Sequence, residues 1–144
     1  MSAPRTWFVW ALFSAGFAAL TAIFAKIGLE GIDSDLATLL RTGVIGVTLG
    51  AIVFTMGKWQ NPATLPAKAL TFLVLSGLAT GASWLCYFRA LKIGDASRVA
   101  PVDKLSVVLV AIFATAFLGE RPSVREWLGI AMVGCGVLVL SFKR

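Results

Sequence analysis

Five apolar stretches, each long enough to cross a lipid bilayer, limit what this chain can fold into. Each holds about 19 to 23 residues, and at about 1.5 Å of rise per residue such a helix crosses a hydrocarbon core of about 30 Å. The chain is 58% hydrophobic and 14% charged, whereas soluble domains are nearer to about half apolar and about a quarter charged. The stretches cover residues 7–28, 36–56, 69–91, 99–118 and 124–142.

The sequence predicts an all-α integral membrane protein with five transmembrane helices. Backbone groups in lipid must be hydrogen-bonded within each segment, and no alternating strand pattern is present. The helices use nearly the whole chain, so we expect one transmembrane domain over residues 1–144. The first stretch is too long for the apolar region of a signal peptide and no A-x-A site follows it, so we expect it to remain as helix 1.

The residues that usually carry catalysis or bind metals are scarce. The chain has no histidine, its two cysteines lie far apart, and no P-loop or G-x-S-x-G motif is present. We therefore expect no enzyme activity, metal or cofactor. The net charge of +6 is spread over short loops and helix ends, which indicates contact with water and membrane lipid rather than with nucleic acid.

Loop residues and small residues predict where helices begin and where they approach one another. Asp33, Ser34 or Asp35 can cap helix 2, and Ser123 with Glu126 forms an S-x-x-E capping box for helix 5. Small residues four apart let helix backbones approach closely, either within the bundle or at a dimer face. The pairs with this spacing are Gly46 and Gly50, Gly77 and Gly81, and Ala111 and Thr115.

The cations that flank the helices leave the orientation of the chain open. Orientation normally follows the side with more Lys and Arg in short loops, and an odd number of spans puts the chain ends on opposite sides. Equal numbers here fit either a weakly fixed orientation or dual topology, in which two orientations pair as an antiparallel homodimer. The N-terminal side has Arg5, Lys58, Lys68, Arg121 and Arg125, and the other side has Lys26, Lys92, Arg98, Lys143 and Arg144.

A proline, an acid and a base lie near the start of helix 4. If Ala100 is the N-cap, Pro101 occupies the first helical position, where its missing N–H is harmless. If Ser97 is the cap, Pro101 breaks or kinks the first turns, which transporters tolerate where backbone lines a cavity. Adjacent helical residues do not face each other, so we expect Asp103 and Lys104 to need other partners.

Two further cations, Arg41 and Arg89, enter helices 2 and 3 from the same side as Asp103. Long cationic side chains near helix ends commonly snorkel to the interface, whereas an acid within the membrane is a functional candidate. Asp103 either pairs structurally with Arg41 or Arg89, or the cluster lines a solute pathway. In a pathway, the surplus positive charge suits a carboxylate or another anionic group, and Asp103 holds the cations in place or takes up a coupling proton.

Three aromatic residues share one face of helix 3. Trp84, Tyr87 and Phe88 have the spacing i, i+3 and i+4. They predict either an interfacial aromatic belt with core packing or a wall of the solute pathway.

Several short motifs occur together along the chain. "LLRTGVIG" lies in helix 2, "RAL" closes helix 3, "GDASRVAP" leads into helix 4, "LGER" forms the next hairpin, and "EWLGI" begins helix 5. Together they resemble an EamA domain of the drug/metabolite transporter superfamily, over essentially the whole chain. Most such proteins carry two domains with inverted orientations. The resemblance therefore implies one half-unit of an inverted-repeat transporter fold, which needs a partner copy to complete a pathway.

The resemblance also implies a function. It is the export or facilitated movement of small metabolites, amino acids among them, by alternating access across the bacterial inner membrane. One alternative is a proton-coupled drug exporter similar to small multidrug resistance proteins, although helix 1 lacks the acid that those proteins carry. The other alternative is a membrane subunit that does not itself transport.

Overall fold

The computed structural model describes residues 6–141 as helices joined by short loops. Five helical segments are long and apolar enough to cross a membrane, and no strand occurs within residues 6–141. These observations confirm the predicted all-α membrane fold. The helices are α1 (Thr6–Gly28), α2 (Ser34–Thr55), α3 (Ala67–Ile93), α4 (Ala96–Asp103), α5 (Leu105–Phe113) and α6 (Val124–Ser141).

The described chain divides into two compact units. Unit 1 contains residues 6–23 and 94–141, and unit 2 is Phe24–Ile93. The single domain over residues 1–144 stays a prediction. Four residues that enter the sequence analysis lie outside the described part of the chain, namely Arg5, Phe142, Lys143 and Arg144.

The predicted helix caps are present. Asp33 is the cap that α2 uses, because its Oδ1 accepts hydrogen bonds from the backbone N–H groups of Asp35 and Leu36, at 2.9 and 3.2 Å. At the start of α6, Glu126 Oε2 accepts from the backbone N–H of Ser123 at 2.6 Å, and the Glu126 N–H donates to Ser123 Oγ at 3.4 Å. These reciprocal bonds confirm the capping box.

In unit 2, α2 packs against α3 in antiparallel orientation. The start of α2 lies beside the end of α3, where Phe88 is only 3% exposed and Leu91 is fully buried. The buried Thr38 hydroxyl donates to the Ser34 carbonyl at 2.8 Å, so burial leaves this polar group satisfied. The register of the two helices is thereby fixed at the end where the predicted site residues Arg41 and Arg89 lie.

In unit 1, α6 packs against α4 and α5, and a close approach at a glycine of α6 was missed from the sequence. A Cβ on Gly134 would lie 3.3 Å from Val108 Cγ2, which is tighter than ordinary contact. The predicted glycine pairs differ, because a Cβ at any of them would meet no atom within 4 Å. Within the described residues of unit 2 they bring no helix backbones into close contact, and the roles predicted for Gly46, Gly50, Gly77 and Gly81, in helix packing or at a dimer face, stay predictions.

The fourth membrane-spanning segment, Ala96–Leu118, consists of α4, α5 and a final turn. Its helix is interrupted twice. It begins at Ala96 with Asp95 as its N-cap, so both predicted caps, Ala100 and Ser97, were wrong, and Pro101 is not at the first helical position. Pro101 lies inside α4 and cannot donate to the carbonyl one turn earlier, and the helix breaks soon afterwards at Lys104, between α4 and α5. The span ends in a π-helical turn, Ala114–Leu118, closed by Gly119 at φ +68°, a conformation that strongly favours glycine.

Candidate functional site

Within unit 2, α2 and α3 bring together three of the predicted site residues. The guanidinium carbon of Arg41 lies 4.2 Å from the centroid of the Trp84 ring and 5.4 Å from that of Phe88. We call Arg41, Trp84 and Phe88 the Arg41 site. Trp84 and Phe88 face Arg41 because positions i and i+4 lie on the same side of a helix. A cation held over aromatic faces is attracted by about 0.5 to 2 kcal/mol, more strongly as water is removed.

Within unit 2, Arg41 makes no ion pair or hydrogen bond with a described residue. It lies about 10 Å along α2 from Ser34, at about 1.5 Å of rise per residue, and its side chain is partly buried. The aromatic rings offset part of the loss of hydration, but they do not neutralise the charge. The outward-pointing N–H groups of a guanidinium suit the bidentate binding of a carboxylate.

Arg89 has a different partner from the one that the sequence suggested. Its Nε donates to Asp35 Oδ1 at 2.9 Å and its Nη2 donates to Asp35 Oδ2 at 2.6 Å. From the sequence, Asp35 was expected only as a possible helix cap, and a structural pairing of Asp103 with Arg41 or Arg89 was one of two alternatives. The sequence could have indicated the Asp35–Arg89 pair, because in a five-span topology the start of helix 2 and the end of helix 3 lie on the same side of the membrane.

Two lysines reinforce this end of unit 2. Lys26 Nζ donates to the carbonyl of Leu91 at 2.7 Å, and Lys92 Nζ donates to the carbonyl of Ile32 at 2.7 Å. Cations near the end of a helix bind the carbonyl groups that have no partner within the helix. Together with the Arg89–Asp35 pair, these bonds hold the end of α1, the start of α2 and the end of α3 at one end of the unit, and thereby support the register that places Arg41 over Trp84.

In unit 1, Asp103 and Lys104 contact each other. Lys104 Nζ lies 3.3 Å from Asp103 Oδ2, so the expectation that these neighbours do not face each other was wrong. The expectation assumed a continuous helix, whereas the helix breaks at Lys104. The break and the flexible lysine side chain allow the pair to form. Pro101 lies on the preceding turn and is partly buried.

The remaining predicted residues have local positions. Tyr87 is partly buried on α3. On the fourth span, Thr115 Oγ1 donates to the carbonyl of Ala111 at 2.8 Å, which satisfies the hydroxyl within its own helix. The predicted roles of these residues in a pathway or in packing stay predictions.

Comparison with known proteins gives the chain its family. The EamA-like transporter family matches residues 5–142. The chain belongs to this family. An EamA-like chain with five membrane-spanning helices is a multi-pass membrane transporter. Two of its relatives are named as a transporter and as a flippase subunit.

Several curated proteins resemble this EamA-like chain. It is 58% identical to an uncharacterized transporter in the cobO 3′ region of a Sinorhizobium species, over 95% of this chain and 97% of that protein. It is 26% identical to an uncharacterized protein of Methanocaldococcus jannaschii, over 92% of this chain and 94% of the other. No solved structure shows a significant similarity to it.

A more distant relative has a more specific name. The probable 4-amino-4-deoxy-L-arabinose-phosphoundecaprenol flippase subunit ArnE of Yersinia pestis is 29% identical over 58% of this EamA-like chain and 75% of that protein. The names of these relatives describe a transporter and a flippase subunit, not an enzyme.

The Arg89–Asp35 pair gives a stability prediction. Asp35→Asn leaves Arg89 without a carboxylate and should lower the free energy of unfolding slightly, because both side chains are partly exposed. The measurement is thermal unfolding in detergent, with a double-mutant cycle that adds Arg89→Gln. Asp33→Asn is the matched control, because asparagine also caps helices. Equal losses from the two single asparagine variants would contradict the role of the pair.

Proposed function

We propose that this chain is a secondary transporter or facilitator that moves small carboxylate-bearing metabolites, a class that includes amino acids, by alternating access. The observation that carries the proposal is Arg41, a cation within a membrane-spanning helix that lies over Trp84 and Phe88 without a carboxylate partner among the described residues of unit 2. Such a guanidinium offers a fixed set of donors to an anionic group that arrives from outside the chain. The proposed location is a bacterial inner membrane, and two of the relatives come from the bacteria Sinorhizobium and Yersinia.

The proposed working unit is an antiparallel homodimer. Many transporters are built from two inverted repeats around a shared solute site, and this chain holds one repeat. The Sinorhizobium transporter supports a one-repeat unit, because the alignment with this chain covers 97% of its length. Equal numbers of cations at the two ends of the predicted helices support insertion in both directions. In that dimer, the second copy supplies the inverted repeat.

A second candidate function comes from the ArnE relative. That protein is named as a flippase subunit, which suggests a chain that acts together with a different subunit and moves a lipid-linked solute. The drug-exporter alternative has less support, because the membrane-spanning part of α1 contains no acid to bind a cation or a proton. Reconstitution of the purified protein separates a self-sufficient transporter from a subunit.

The role of Arg41 gives a transport prediction. We expect liposomes with the purified protein to take up labelled carboxylates from a panel of lactate, benzoate and phenylalanine. Arg41→Gln should reduce uptake of the transported member by about tenfold or more, which corresponds to the loss of one charge-assisted hydrogen bond. Arg41→Lys should retain part of the uptake, because it keeps the charge but not the bidentate geometry.

The matched control for this measurement is Arg98→Gln, which removes an exposed arginine that pairs with Asp95 near the start of α4. It should leave uptake unchanged at equal protein content. Uptake by Arg41→Gln at the wild-type rate would refute the role of Arg41. Absence of uptake by the wild-type protein, restored by a second membrane subunit, would favour the flippase-subunit function.

Dual topology gives a separate prediction. Reporter proteins fused to the C-terminus, one active only in the cytoplasm and one active only outside the inner membrane, should both give a signal. The two populations should be of similar size, because neither side of the chain has a decisive excess of loop cations. Added lysines in the loop at residues 57–66 should shift the signal towards one reporter. A signal from a single side in the unmodified chain would rule out the antiparallel homodimer.

A further inference from the structure

We infer that the Arg41 site selects an amphiphilic monoanion, with one net negative charge and an apolar body, and that it discriminates against zwitterionic amino acids. This inference rests on the proposed function, because it names the solute class of the same site. It narrows the carboxylate-bearing class to members without an ammonium group. The charges of unit 2, the geometry of Arg41 and the surrounding side chains carry it.

The cations of unit 2 differ in their partners. In unit 2, Arg89 is neutralised by both carboxylate oxygens of Asp35. Lys26 and Lys92 are each bound to a backbone carbonyl near the helix ends. Lys26 and Lys92 keep their charge but lie at the helix ends, so Arg41 is the one of these four cations with neither a carboxylate nor a carbonyl partner within the described residues of unit 2. One guanidinium balances one negative charge, which favours a monoanion over a dianion.

The ammonium group of an amino acid also needs a partner. A zwitterion needs an acid close to Arg41, because an uncompensated ammonium is costly to bury. The acids of unit 2 are elsewhere. Asp35 is about 9 Å away along α2, at about 1.5 Å of rise per residue, and is occupied by Arg89. Asp33 caps α2, and Glu30 lies in the exposed loop before it.

Asp35 is the acid of unit 2 that lies nearest to Arg41 along the chain, so an amino acid would have to break the Asp35–Arg89 pair in order to place its ammonium group against that carboxylate. A simple carboxylate makes no such demand. The arrangement of charges therefore penalises the zwitterion rather than the monoanion.

The surroundings of Arg41 favour a ligand with an apolar or aromatic group. The Trp84 ring covers one side of the Arg41 guanidinium at 4.2 Å, and the N–H donors of a guanidinium point outward in its own plane. A carboxylate bound by these donors therefore lies beside the partly buried Trp84 ring. Contact with this ring is most favourable for an apolar or aromatic group, which adds about 0.5 to 1.5 kcal/mol when two rings meet in a favourable geometry.

The test uses ligands of matched size and different charge. Purified protein in detergent free of phospholipid is titrated with 3-phenylpropionate, phenylalanine, phenethylamine and propionate, and binding is measured by calorimetry and by the shift in unfolding temperature. We expect 3-phenylpropionate to bind at least about tenfold more tightly than each of the others. Arg41→Gln should abolish this preference, and Arg98→Gln should leave it intact.

An anionic phospholipid is also an amphiphilic monoanion, so a second arm adds phosphatidylglycerol to the detergent sample. Competition between phosphatidylglycerol and 3-phenylpropionate in the wild-type protein, together with loss of 3-phenylpropionate binding in Arg41→Gln, supports the inference and shows that lipid also has access to the site. If phosphatidylglycerol does not compete with 3-phenylpropionate, the result supports the inference and indicates that the ligand is a soluble anion.

Two results would overturn the inference. One is phenylalanine binding as tightly as 3-phenylpropionate, and the other is 3-phenylpropionate binding that persists in Arg41→Gln. The transporter proposal fails separately. Liposome uptake of a solute from another class would support the transporter proposal and contradict the selectivity for a monoanion. Binding of 3-phenylpropionate without uptake of any solute would support that selectivity and contradict the transporter proposal.

Discussion

A charged side chain in a hydrocarbon layer must find a partner, and that requirement shapes this chain beyond its helices. Estimates of the free energy for placing an unpaired charge at the bilayer centre start at about 2.5 to 3.5 kcal/mol. Near the helix ends, the partly exposed Arg89 is paired with the two oxygens of Asp35, and Lys104 is paired with Asp103. Arg41 meets the requirement only in part, through the faces of Trp84 and Phe88. Arg41 is the candidate binding site because, unlike Arg89, it has no carboxylate partner within the described residues of unit 2.

The charged bonds at one end of unit 2 connect the fold to the site. Arg89, Lys26 and Lys92 each bind a group near the end of another helix or its loop, so they hold α2 and α3 in one register. In that register, Arg41 lies over Trp84. The membrane-spanning unit thus orders a cation without neutralising it, which is the property that an anion-binding site requires. In the proposed antiparallel dimer, the two copies would present such a site towards opposite membrane faces.

Local features were predictable from the sequence, and contacts between distant residues were not. The spans and the Ser123–Glu126 capping box depend on length, hydrophobicity and neighbours within a few residues. The Asp35–Arg89 pair joins residues on different helices, and its geometry depends on a register that hydrophobicity does not determine. The Asp103–Lys104 contact depends on the break at Lys104, which the sequence allowed but did not locate. The close approach at Gly134 requires knowledge of which helix lies opposite.

The most direct test of the account is the accessibility of position 41 to water. In a chain with Cys86 and Cys135 replaced by serine, Arg41→Cys is treated with a membrane-impermeant thiol reagent, whose reaction requires a hydrated thiolate. Val47→Cys on the same helix is the control, because Val47 is 76% exposed on an apolar surface and should face lipid. The account predicts that Arg41→Cys reacts much faster than Val47→Cys. Equal, slow reaction at both positions would show that position 41 faces lipid and would contradict a solute pathway at Arg41.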